Sequence, residues 1–164
     1  QMAAYFNANN SNYDVYTKVS GYDGALSRGG APTIWDFCQI FYEEAQAEGV
    51  KAEVAFCQAM LETGFLKYGG DVKPDQYNFA GLGATGGGEP GNRFGSVREG
   101  IRAQIQHLKC YASTAPLNNP CVDQRWSEHL RGTAPTVEEL SRKWAVGSDY
   151  GNKILNQISS MRNY

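Results

Sequence analysis

Apolar side chains recur along this chain at helical rather than strand spacing. Ile34, Phe37, Cys38, Phe41 and Ala45 repeat as i, i+3, i+4 and i+7, the stripe of an amphipathic helix. Thr33 stands where its cap belongs and Gly49 where it should stop. A second helix is expected from Ala52 to Thr63, closed by Gly64. Val97, Ile101, Ile105, Leu108 and Ala112 line a third, and Ser96-Val97-Arg98-Glu99 at its start reads as a capping box. Val122, Trp126 and Leu130 predict a short helix closed by Gly132. Thr136-Val137-Glu138-Glu139 is another capping box, leading to Leu140 and Trp144. Ile154, Leu155, Ile158 and Met161 predict a C-terminal helix with Ser148 as its N-cap.

Two stretches break the pattern. Residues 1–30 are rich in Asn, Tyr, Ser and Gly and show no period, so they are expected to form an N-terminal arm or linker packed loosely on a domain spanning 31–164. Residues 64–95 are full of Gly, Pro, Asn and Asp, and a connection of that length inside a compact domain is usually functional. A small hairpin within 77–95 is the one strand feature expected. The fold class is therefore mostly α (α+β), a helical domain flanked by a small irregular lobe.

Composition narrows the function. The 164 residues fit one domain. A net charge of −2 lacks the basic surplus of a nucleic-acid binder or a polybasic membrane anchor. No apolar run approaches the roughly 20 residues that span a bilayer. The chain begins at Gln1 without a signal peptide and reads as a mature product or an excised domain. Gly83 to Gly91 lacks the Gly-Lys-Ser/Thr ending of a phosphate loop. His107 and His129 are isolated and read as structural or solvated, and no metal or cofactor is implied. Cys38 is expected as a buried thiol, whereas Cys110 and Cys121 bracket a Pro-containing loop and are the better disulfide pair.

Glu62 carries the most chemistry. It lies in the last turn of its helix, where the dipole opposes a negative charge and raises the pKa. A general acid needs such a shift to hold a proton near neutrality. Gln58, Ala59 and Ala55 share its helix face, the two alanines leaving room beside the carboxyl.

Four blocks around it resemble glycoside hydrolase family 73, the bacterial endo-β-N-acetylglucosaminidases. They are Gln58-Ala59-Met60-Leu61-Glu62-Thr63-Gly64-Phe65, Tyr77-Asn78-Phe79-Ala80-Gly81-Leu82-Gly83, Phe94-Gly95-Ser96-Val97-Arg98-Glu99-Gly100-Ile101, and Trp144-Ala145-Val146-Gly147-Ser148-Asp149-Tyr150-Gly151-Asn152-Lys153-Ile154. They stand in the family's order. The resemblance implies a lysozyme-like fold with a cleft between a helical lobe and a small β-hairpin lobe. It implies Glu62 as general acid and peptidoglycan glycan strands as substrate, cut at the β-1,4 bond after N-acetylglucosamine. The departures are Thr63 for Ser and Trp144 for a Tyr hydroxyl, with Tyr150 as an aromatic near the cleft. Gly81-Leu82-Gly83 also resembles a lytic transglycosylase segment, so a transglycosylase or muramidase on the same fold is the alternative, and a non-catalytic glycan-binding module the other.

Glycosidases usually employ two carboxylates. Glu89, at the tip of Gly86-Gly87-Gly88-Glu89-Pro90-Gly91, is the expected partner of Glu62; Glu99, Asp71 and Asp75 are further options, and the substrate's own acetamido group is a route without one. Gln58, Tyr77, Asn78, Phe79 and Tyr150 are expected to shape the sugar subsites, with Tyr68 as a stacking candidate and Trp35 and Trp126 as packing residues. The expectation is a monomeric hydrolase, secreted or wall-associated, that binds neither nucleic acid nor membrane.

Overall fold

The computed structural model describes residues 1–164. Six α-helices carry it: α1 (Met2–Asn9), α2 (Ala25–Arg28), α3 (Ile34–Glu48), α4 (Ala52–Thr63), α5 (Val97–Ala112) and α6 (Tyr150–Met161). Three short 3-10 turns, at 74–76, 128–130 and 138–140, punctuate the connections.

The predicted signals act as written at the long helices. The Thr33 hydroxyl accepts the Asp36 N–H and Asp36 reaches back to the Thr33 N–H, a full capping box. Ser96 accepts the Glu99 N–H and opens α5, but Glu99 reaches back to the Gly95 N–H rather than that of Ser96, so only half of the expected capping box forms. Gly49 and Gly64 close α3 and α4 in the left-handed conformation. α3 packs on both α4 and α5, and α4 packs on α6. Phe37, Phe41, Phe56, Met60, Ile101, Ile105 and Ile154 fill the space between them, all fully buried. Glu44 of α3 pairs with Arg98 and Arg102 of α5 across one edge of that packing.

The N-terminal segment is not a loose arm. Phe6, Ala25, Leu26 and Ala31 are completely buried in the same core as α3 to α6. Asp14 organises the segment. Its Oδ1 accepts the Leu26 N–H at 2.9 Å and the Tyr16 hydroxyl at 3.0 Å, while Oδ2 accepts the Ser27 hydroxyl at 2.6 Å. One buried carboxylate thereby satisfies the donors at the start of α2.

The expected hairpin is absent, and no sheet forms. Within 77–95 the only bridge joins Gly86 and Glu89. Two buried amides replace the ladder. Asn78 donates to the Leu82 carbonyl at 2.8 Å and accepts the Leu82 N–H at 3.0 Å. Gln76 donates to the Pro90 carbonyl at 2.6 Å. Side chains thus satisfy several backbone groups of this lobe, alongside isolated backbone bonds such as those from the Asn92 N–H to the Leu82 carbonyl and from the Phe94 N–H to the Gln76 carbonyl.

Three smaller expectations also change. The helix expected around Val122 to Leu130 is only the turn at 128–130. The N-cap of α6 is Asp149, one residue past Ser148. All four cysteines are free: Cys38 is buried as expected, Cys110 faces the interior with Sγ 3.3 Å from the Ser127 carbonyl, and Cys121 faces solvent.

Candidate active site

A cleft of about 680 Å³ opens where the end of α4, the 70–85 loop and the 142–146 loop meet. Glu62 lies on its wall, together with Tyr68, Asp71, Asn78, Gly81, Arg142, Lys143 and Trp144. The helix stop at Gly64 is what delivers Glu62 there, because the chain must turn away directly after the acid.

Glu62 is held by a relay of three side chains from three helices. The Tyr150 hydroxyl of α6 donates to Glu62 Oε1 at 2.7 Å. Gln58 Nε2 of α4 donates to that hydroxyl at 3.0 Å. Gln104 Nε2 of α5 donates to Gln58 Oε1 at 2.9 Å and to the Ala55 carbonyl at 2.8 Å. Each link fixes the next. Because Gln58 offers a donor to Tyr150, the Tyr150 proton has to point at Glu62. Oε1 is therefore already an acceptor, and a proton held by Glu62 resides on Oε2.

Oε2 faces Gly81. A methyl group on Gly81 would lie 3.0 Å from it, at a backbone φ of +66° that L side chains rarely adopt. Glycine at this point keeps the acidic oxygen clear.

The carboxyl meets solvent through the cleft mouth, yet protein surrounds its other sides. Burial raises the Glu62 pKa above the ordinary glutamate value, and the Tyr150 hydrogen bond pulls it down. The direction is the one the helix-dipole argument gives, but the main cause is desolvation. Burial raises Tyr150 as well, and the Glu62 charge adds to it, so the phenol stays protonated and remains a donor. Tyr150→Phe removes the interaction that lowers the Glu62 pKa. Its activity is expected to fall about tenfold, since Glu62 then loses the hydroxyl that orients it, the size of one hydrogen bond to a charged group. The high-pH limb of its rate profile is expected to move upward, because Glu62 then loses its proton at higher pH. A pH–rate profile of both proteins checks the sign; a limb that moves down refutes the relay.

The family described as mannosyl-glycoprotein endo-beta-N-acetylglucosaminidase matches residues 38–163, a span that includes Gln58, Glu62, Gln104 and Tyr150. The chain belongs to this glucosaminidase family. It is 40% identical over 126 residues to an uncharacterized protein of Borreliella burgdorferi; the match covers 77% of this chain and 62% of that protein's length. A C-terminally truncated glycoside hydrolase domain from Salmonella typhimurium FlgJ is similar with a TM-score of 0.48 and 17% identity, over 78% of this chain and 94% of that one.

In this glucosaminidase-family domain the other expected site residues scatter. Glu89 is exposed on the turn after Gly88 and does not line the cleft; its Oε1 accepts the Gly91 N–H at 3.3 Å. Asp71 is the second carboxylate on the cleft wall, and its Oδ2 accepts the Gly88 N–H at 3.2 Å, tethering the glycine loop. Glu99 caps α5 through the Gly95 N–H, and Asp75 pairs with Arg93. Gln58 is fully buried and reaches the cleft only through Tyr150. Tyr77 turns its hydroxyl to the Ala25 carbonyl at 3.0 Å. Phe79 is 1% exposed, edge-on to Phe37, and belongs to the core. Asn78 lines the cleft, but its amide is taken up by the loop. Trp35 is 69% exposed, contrary to its expected role as a packing residue. Trp126 is half-buried beneath the Arg131 guanidinium.

Two further residues support the site in ways not assigned from the sequence. Trp144 donates its indole N–H to the Ala80 carbonyl at 3.0 Å and is backed by His107 and Tyr111. It thereby fixes the loop that carries Gly81. Gln104 had a readable signal: it is a polar residue within the apolar stripe of α5, between Ile101 and Leu108. Such a residue must find a partner inside.

Proposed function

We propose that this domain is a peptidoglycan hydrolase, an endo-β-N-acetylglucosaminidase that cuts the β-1,4 bond between N-acetylglucosamine and N-acetylmuramic acid. Membership of the glucosaminidase family supports the reaction class. The observation that carries the reading is the relay ending on Glu62 in an open cleft. It supplies a carboxyl with a raised pKa, a fixed protonation site and room for a substrate oxygen.

Glu62 Oε2 protonates the glycosidic oxygen as the bond breaks. Positive charge develops at the anomeric carbon. Asp71, on the same cleft wall, offers the carboxylate that meets it, directly or through water. Glu89 instead rides on the loop that Asp71 tethers. Trp144 and Tyr68 present ring surface to the sugars. Such a substrate assigns the enzyme to the cell wall, outside the cytoplasmic membrane.

Digestion of purified peptidoglycan, followed by borohydride reduction and mass spectrometry, tests this. Reduced N-acetylglucosamine ends are expected from the wild type, with Asp71→Asn losing more activity than Glu89→Gln. Reduced muramic ends would make the domain a muramidase, and anhydromuramic ends a lytic transglycosylase. The reverse order of the two variants would return the second role to Glu89.

A further inference from the structure

The cleft continues past Trp144 into a second hollow of about 330 Å³. The two share Gly81, Ala84, Thr85, Lys143 and Trp144. Their charges differ. The first contains Glu62 and Asp71, whereas the lining of the second has no carboxylate. Its charged lining groups are Arg125 and Lys143, with His107 at its back. Arg142 follows on the wall of the first hollow, beside Lys143. In a chain of net charge −2 this concentration of cations does not follow from overall basicity.

The cations are also free. Neither Arg125 nor Arg142 takes part in an ion pair. The Lys143 ammonium donates only to a neutral group, the Thr133 carbonyl. Asp123 lies behind the hollow with its side chain fully buried. Its Oδ2 is 2.7 Å from His107 Nδ1 and its Oδ1 accepts the Arg125 backbone N–H at 2.8 Å, so it holds the wall rather than neutralising the guanidinium. Guanidinium and ammonium groups without a carboxylate partner, at the end of a sugar-sized cleft, are suited to an anion attached to the glycan.

We infer that this hollow, together with Arg142 on the adjoining wall, binds a carboxylate borne by a muramoyl residue near the scissile bond. The inference rests on reading the domain as a peptidoglycan hydrolase. N-acetylglucosamine has no charge, so the muramoyl residue brings the anion. It does so as the free lactyl carboxylate of a peptide-stripped strand or as a carboxylate of an attached stem peptide. The hollow thereby sets the register of the alternating strand, bringing an N-acetylglucosaminyl bond to Glu62.

The test measures strand binding by titration calorimetry in the Glu62→Gln background, where strands stay intact, alongside cleavage by the wild type. Three preparations are compared: strands with stems, strands stripped by an amidase, and stem-bearing strands whose carboxylates have been converted to amides with carbodiimide. At least one carboxylate-bearing preparation is expected to bind about tenfold tighter than the amidated one, the size of two charge-assisted contacts at a solvent-open site. The preparation that does so identifies the carboxylate. Adding Arg125→Ala and Arg142→Ala is expected to bring that ratio to about one. Lys51→Ala, the loss of one cation at the start of α4 and away from the cleft, is expected to keep it. Equal binding of all three preparations, or a ratio that survives loss of both arginines, overturns the inference. A ratio present without cleavage by the wild type overturns the hydrolase reading and leaves the anion site standing.

Discussion

Glu62→Gln is expected to lower kcat on peptidoglycan by about 10³-fold, within the range general acids contribute. The substitution preserves shape, and the Tyr150 hydroxyl can still donate to the new amide oxygen. What disappears is the proton that would reside on Oε2, the oxygen beside Gly81. Stability should move the other way. The folded pKa of Glu62 is raised, so the fold disfavours its charged form. That penalty is present above the folded pKa and is relieved as pH falls through it. An uncharged glutamine escapes it, so the variant is expected to melt no lower than the wild type at pH 7. Turbidity clearing of wall suspensions and a thermal melt read the two quantities. Activity within tenfold of the wild type would mean that another group donates the proton.

This inverse relation between activity and stability is what a built acid site produces. The relay gives this partly desolvated carboxyl one strong donor and no cation. An arginine in place of Tyr150 would hold Glu62 ionised and remove its use as an acid. Tyr150 itself stays neutral under the same burial that raises Glu62. The two groups therefore share one environment but differ in role: one releases a proton and the other only directs it.

The helical half of this arrangement was legible in the sequence because its signals are local. Thr33, Gly49, Gly64 and Ser96 act on the turn they belong to, and the stripe on α3 needs no knowledge of its partners. The place of Glu62 at the end of α4 was legible for the same reason, because Gly64 stops the helix just after it, but its expected role as an acid came from the resemblance of the blocks around it. The irregular half was not legible, because its order comes from side chains reaching across the chain. Asp14 ties 14 to 26 and 27, and Asn78 and Gln76 tie 76–78 to 82 and 90. Phe79 illustrates the ambiguity. An aromatic in a polar loop reads as exposed, yet it is the ring that plugs the lobe onto Phe37 of α3. Glu89 is the opposite case: a carboxylate at the tip of a glycine-rich turn, expected to reach the cleft, whose turn directs it to solvent.

Gly100→Ala is expected to destabilise the domain by about 3 kcal/mol, at the upper end for an overpacked contact. Propensity alone predicts the reverse sign, since alanine in a helix is favoured over glycine by about 1 kcal/mol. Sterics decide. A methyl group on Gly100 would lie 1.7 Å from the Tyr77 carbonyl oxygen and 2.8 Å from its carbon. Both obstacles are backbone, so no rotamer change relieves them. Either α5 moves away from α3 and α4, or the Tyr77–Asn78 backbone lifts from the helix. The second course reaches the site. Asn78 holds both backbone groups of Leu82, and the turn between them contains Gly81, which faces Glu62 Oε2. Activity should therefore fall even at temperatures where the variant remains folded. Urea unfolding and wall clearing at 10 °C below the variant's own melting point separate the two effects. A variant as stable as the wild type would mean that the loop does not sit on α5 in solution. A destabilised variant with full activity would mean that the loop can move without carrying Gly81 with it.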